Sequence, residues 1–175
     1  MTLIQSPAVV VPASGTYRMD VPGCVVTFAT RHLFGLGAVH GGFAVREGMI
    51  DVAEPAFGSS VRVVISAGSF DTGNAVRDKA VRSLLAVDDH PDIVFMSSRL
   101  AIEDGRWMLH GLLSVCGVVR PVVVRVDGAS TTGDRLRVRA WARIDRYEFG
   151  VTKARGLAAR HLELRLDIVA DRAGT

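Results

Sequence analysis

Apolar and polar residues alternate along most of this chain. The clearest stretch is residues 136–144. Leu136, Val138, Ala140, Ala142 and Ile144 share one face, and Arg137, Arg139, Trp141 and Arg143 share the other. Near the C-terminus, Leu162, Leu164, Leu166 and Ile168 alternate with Glu163, Arg165 and Asp167. Side chains of a strand point to opposite faces in turn, so this pattern predicts strands with one buried and one wet face, as in antiparallel sheets. Weaker alternation marks further strands: Cys24, Val26, Phe28 and Thr30; Val61, Val63 and Ile65; Ile93 and Phe95; Leu109, Gly111, Leu113 and Val115; Val122, Val124 and Val126. Turn signals fall between them at Arg46-Glu47-Gly48, Glu103-Asp104-Gly105 and Thr132-Gly133-Asp134. Asp104-Gly105 suits a two-residue hairpin loop. One segment changes period. Val76, Ala80 and Leu84 recur every four residues, with Val81 and Leu85 alongside, which predicts a helix near 75–85. Asn74 is its expected N-cap. Eight or more short strands with one helix, and no strand–helix–strand repeat, predict an all-β fold. A closed antiparallel barrel of about eight strands fits best, because closure removes exposed edges.

Composition sharpens this. The chain has 175 residues, which suits one domain. It is 49% hydrophobic, only 6% aromatic and 22% charged, with a mean hydropathy of +0.28. Such a chain is not disordered. Its apolar mass is aliphatic and rich in valine, whose branched Cβ packs well on a pleated surface. No stretch long enough to span a bilayer is both apolar and free of breakers, so no membrane span is expected. Residues 1–17 carry no Asp, Glu, Lys or Arg, but contain Pro7, Pro12 and Gly15. The first basic residue is Arg18, so the basic start of an export signal is missing and the expected localisation is cytoplasmic. Residues 1–15 read as a loose or strand-adding N-terminal tail, 16–170 as the barrel domain and 171–175 as a C-terminal tail. The net charge is +3, and only Lys79 and Lys153 are lysines. Arg135, Arg137, Arg139 and Arg143 alternate with apolar residues and belong on an outer sheet face. Without interleaved aromatic platforms, no nucleic-acid partner is expected.

Few residues propose chemistry. Cys24 and Cys116 stand in no Cys-x-x-Cys or Cys/His cluster, and read as buried thiols. Asp71-Thr72-Gly73 is the triplet of aspartic proteases, but that chemistry needs two carboxylates sharing a proton and the chain has one triplet. The simpler reading is a strand-to-helix turn in which Asp71 and Thr72 bond local N–H groups and Gly73 takes an unusual φ. The histidines at 32, 40, 90, 110 and 161 lack metal-ligand spacing, so no metal is expected. Ser114 lacks a nucleophile-elbow context. Gly35-Leu36-Gly37 lacks the rest of a dinucleotide motif. No catalytic residue is assigned.

Five elements in order carry a resemblance. They are Tyr17-x-Met19-Asp20 with Val26-Thr27-Phe28 and Arg31-His32-Leu33; Asp71-Thr72-Gly73-Asn74 with Arg77-Asp78 and Arg82-Ser83; His90-Pro91 with Ile93-x-Phe95 and Ser97; Gly111-x-Leu113 with Gly117-Val118 and Arg120-Pro121-Val122; and Asp145-Arg146-x-Glu148-Phe149-Gly150. As a set, over roughly Thr16 to Ala170, the chain resembles the YceI-like family of polyisoprenoid-binding, lipocalin-like proteins. The resemblance implies an extended eight-stranded barrel with a helix across one opening. It also implies a hydrophobic tunnel that holds a long isoprenoid or a similar amphiphile. Cys116 and Ala80 stand where the family often has His, and the segment Leu84-Leu85-Ala86-Val87 looks about two residues short.

An eight-stranded barrel lies between a filled core and a ligand cavity, and the small inward residues Ala140 and Ala142 favour space. Inward parity then selects Phe28, Val63, Ile65, Phe95, Leu113, Val124, Val138, Ala140 and Leu164 as the tunnel wall. Arg31, His32 and Asn74 are the candidates for head-group contacts. The expected ligand is an isoprenoid lipid or isoprenoid quinone, held for storage, transport or sequestration, with no other cofactor. Two alternatives stay open: an enzyme acting inside the barrel through Cys116 or His32, and an interaction or stress-associated domain without a small ligand. A homodimer is also left open.

Overall fold

The computed structural model describes residues 8–32, 37–153 and 159–174, with backbone only for Arg31 and His32. Ten strands form one sheet: β1 (Gly15–Met19), β2 (Val25–His32), β3 (Gly37–Phe43), β4 (Val45–Val52), β5 (Ser60–Ser66), β6 (Asp92–Glu103), β7 (Arg106–Val115), β8 (Val118–Thr132), β9 (Arg135–Asp145) and β10 (His161–Arg172). They behave as eight runs. β1 and β2 are one run broken by a 3-10 turn at Val21–Gly23, where Pro22 supplies no N–H donor. β3 and β4 are one run bent at Ala44. The first run pairs with the second along both parts and with β10 along both parts, so the sheet closes on itself. From Met19↔Ala170 to Val25↔Asp167, the first run advances six residues while β10 moves three. The 3-10 turn absorbs that slip. The result is a closed antiparallel meander of eight runs, with one α-helix among the described residues.

The turns follow the local chemistry. Asp104 and Gly105 have φ of 49° and 73° and join β6 to β7. Cys116 and Gly117, at 52° and 74°, join β7 to β8. Two successive positive φ angles give the two-residue loop whose twist matches paired strands. The reading of Arg46-Glu47-Gly48 as a turn is corrected: these residues lie inside β4. Pairing with β5 slips between Val45 and Glu47, which is a bulge rather than a reversal. Gly48 is there for close approach, since a Cβ would overlap the Met19 side chain.

The alternating faces sort as the pattern predicts. On β9, Leu136 and Ala142 are 1% exposed, while Arg135 pairs with Asp20 and Asp171 and Arg137 with Asp167 on the outside. β10 runs on to Arg172, whose N–H donates to Asp134 O at 2.9 Å, and Ala173 N–H donates to Thr16 O at 2.8 Å. Before β1 the chain is attached to the barrel: Val9 forms a parallel bridge with Ala129, and Val10 N–H donates to Ala129 O at 3.0 Å.

The helix α1 spans Ala75–Leu84. Val81 packs on the buried trio Phe28, Val39 and Phe70. Arg82 Nη2 donates to Phe70 O at 2.7 Å, and the Cys116 thiol donates to Leu85 O at 3.2 Å. These contacts fasten α1 at the barrel end formed by the β2–β3 strands and the β7–β8 hairpin.

Candidate functional site: an apolar cavity in the barrel

The inward side chains leave space. On β9, Ala142 and Ala140 sit opposite Leu164 and Leu166 of β10, so small residues face large ones and the wall is thin. On β7, Gly111 lets Phe95 lie flat: a Cβ there would come within 2.6 Å of the Phe95 ring and 2.5 Å of Met96 O. The outcome is a cavity of about 190 Å³. Among the described residues, no charged side chain lines it, and Ser59 is the one hydroxyl. Water needs polar partners to occupy such a space, so the lining favours an apolar occupant.

Of the residues chosen from parity, Val63, Ile65, Phe95, Leu113, Val124, Val138, Ala140 and Leu164 line this cavity. Phe28 does not, which corrects its assignment to the wall. It is 3% exposed and faces inward as its parity requires, but it lies at the level of α1. There it stacks on Phe70 at 5.1 Å between ring centroids and tilts against Phe43 at 5.8 Å. Gly41 opposite makes room, since a Cβ there would lie 2.6 Å from the Phe28 ring. The three rings are a floor beneath the helix. Asn74 is exposed, and its Oδ1 accepts Arg77 N–H at 3.0 Å as the N-cap of α1. The side chains of Arg31 and His32 lie outside the described residues.

Sequence reasoning missed the other end of the cavity. Val9, Val11 and Pro12 line it there, with Ala56 and Trp107. Trp107 stacks on Phe57 at 5.7 Å and 25°. The apolar run Val9-Val10-Val11 was a signal, but nothing local says which wall such a run will meet.

The polar motifs are built as turns. Asp71 Oδ1 accepts Gly73 N–H at 2.8 Å, and Gly73 has φ +76°. Asp78, 4% exposed, accepts Thr72 N–H at 3.1 Å and the Thr72 hydroxyl at 2.5 Å. The Thr72 hydroxyl holds the Asp78 carboxyl below the usual carboxylate range, against the opposing effect of burial. Arg77 Nε donates to Thr72 Oγ1 at 2.8 Å. Asp145 accepts Tyr147 N–H at 3.0 Å, and Gly150 closes that 3-10 turn at φ 76°. Arg146 donates to the carbonyls of Val151, Lys153 and Ala159. Both signatures therefore tie the loops around one barrel end.

The thiols carry no sign of activation. Burial pushes the Cys116 thiol up from its ordinary value, and burial does the same at Cys24, whose thiol donates to Val169 O. A raised thiol pKa disfavours the nucleophilic thiolate. Among the described residues, no group of three or more His, Cys, Asp or Glu side chains could hold a metal ion. Among the described residues, no helix is long and apolar enough to cross a membrane.

A family model of the YceI-like domain matches residues 17–170. The chain belongs to the YceI-like family. Among its relatives is a UPF0312 protein of Yersinia enterocolitica, 30% identical over 168 residues, which cover 90% of this chain and 86% of that protein. A UPF0312 protein of Photorhabdus laumondii is 30% identical over 120 residues, 65% of this chain, and the match spans 62% of that relative's length. The fold is shared with BcnA of Burkholderia cenocepacia, at a TM-score of 0.75 and 20% identity over 87% of this chain and 99% of that one. It is also shared with a polyisoprenoid-binding domain of Saccharophagus degradans implicated in plant cell wall breakdown, at a TM-score of 0.70 and 14% identity over 92% of this chain and all of that one. The YceI-like barrel thus accounts for the period-2 pattern, the single helix and the motif order.

Proposed function

We propose that this protein binds an isoprenoid-like lipid or isoprenoid quinone inside its barrel, for storage, transport or sequestration. The observation that carries the reading is the cavity: walled by strands and lined without a charge. The YceI-like membership and the polyisoprenoid-binding domain among the structural neighbours support the same ligand class. Affinity would come from area. Each buried carbon contributes about 0.8 kcal/mol gross, and ordering costs reduce the net. The volume adds a condition. A cavity of roughly 150 Å³ holds one benzene, so a long chain needs more room than the 190 Å³ described. The experiment is to purify the protein from cells, extract it into chloroform–methanol and analyse the extract by mass spectrometry. An isoprenoid lipid or quinone near one per protein is the expected result. An extract free of apolar compounds, together with no uptake of added prenol, overturns the proposal.

A further inference from the structure

The cavity is bounded at one end by the chain's own residues 8–12. Val9, Val11 and Pro12 line it, while Val10 and Val11 are also about half exposed. The segment is a strap rather than wall. Its base is firm: the Tyr17 hydroxyl donates to Ala13 O at 2.8 Å, and Arg172 Nη2 donates to Ser14 O at 2.5 Å. Beyond that base the strap is lightly held. Residues 8–12 are held through the Val9–Ala129 bridge, where Val10 N–H donates to Ala129 O, and Pro12 has no N–H to give. Segments with few buried contacts and few hydrogen bonds open at low free energy. The strap also attaches where β8 is accessible. β7 pairs with β8 only as far as Val126, so the β8 edge beyond it meets the strap at Ala129.

Resting on the lipid reading, we propose that residues 8–12 are a built-in occupant of the ligand site. The Val9 and Val11 side chains fill the end of the cavity that the distal part of a longer apolar ligand takes. The strap therefore selects ligand length. A short ligand fits beneath it, and a long one binds only to the fraction of molecules in which it has lifted. The apparent dissociation constant for a long ligand is raised by the inverse of that fraction, while that for a short ligand is not.

The test uses the full chain with Trp141→Phe, which leaves Trp107 at the cavity end as the one tryptophan. Val9→Ser with Val11→Ser removes the strap's apolar grip, and Val10→Pro separately removes its hydrogen bond. Acrylamide quenching of Trp107 is expected to rise by about twofold or more in both variants, as for a segment released from few contacts. Binding is then measured with geraniol as the short prenol and geranylgeraniol as the long one. The Val9/Val11 variant is expected to bind geranylgeraniol about tenfold more tightly than the intact strap does, with geraniol unchanged or weaker. Unchanged quenching in both variants, or equal shifts for the two prenols, overturns the strap. If neither prenol binds any of the proteins while quenching rises, the strap still covers the cavity, and the lipid reading is what fails.

Discussion

Gly111 shows how much a single missing methyl decides at the residue scale. Gly111→Ala places a Cβ against both the Phe95 ring and Met96 O. Neither can move far, because one is buried wall and the other is backbone in a paired strand. The expected cost is about 1–3 kcal/mol, the range for overpacking, read as a lower urea midpoint with an unchanged slope. Asp78 governs a pH response. Its carboxyl sits below the usual range in the folded protein, with the Thr72 hydroxyl as the main cause. The unfolded chain therefore binds the proton more readily, and stability rises with pH across this window. The contribution is complete above the ordinary carboxylate value near ~4, and is lost as pH falls through the lower folded value. Asp78→Asn is expected to lower stability at neutral pH and to flatten the acid limb of a denaturation midpoint plotted against pH.

At the scale of elements, α1 and the strands differ in what local sequence could say. The helix was legible because its cap and its period agree: Asn74 precedes an apolar repeat, and its oxygen does accept Arg77 N–H. Asn74→Ala is expected to cost about 1 kcal/mol of stability. If the residue acts only as a cap, a titration with an apolar fluorescent probe will show unchanged affinity. The hairpin at Asp104-Gly105 was equally legible, since few sequences favour two positive φ angles in a row. The bulge in β4 was not. Arg46-Glu47-Gly48 has the composition of a turn, and only the Met19 side chain above Gly48 explains why glycine stands inside a strand. The two signature motifs were legible as a family pattern, and their side chains shape turns at one barrel end.

At the scale of the molecule, the cavity exists because a closed barrel fixes its own diameter and the side chains do not fill it. Ala140→Phe places a ring in that space. Uptake of an apolar probe is expected to fall about tenfold or more, equivalent to about 1.4 kcal/mol. Stability should change by less than about 1.5 kcal/mol, because the ring enters existing volume. Equilibrium binding and chemical denaturation of the same variant separate the two effects. The sequence by itself determined the parity of seven strands, β2 and β5 to β10, together with the helix and the barrel class, because backbone geometry alternates side chains regardless of distant neighbours. It placed eight of nine chosen wall residues on the cavity. Tertiary structure alone decided height and closure. Phe28 has the right parity but sits at the floor, because register with β10 and β3 sets its level along the barrel axis. Val9 and Val11 reach the other end through a bridge to Ala129, far along the chain. Pairings between residues so distant in sequence depend on how the whole sheet closes, and no local pattern of side chains encodes that.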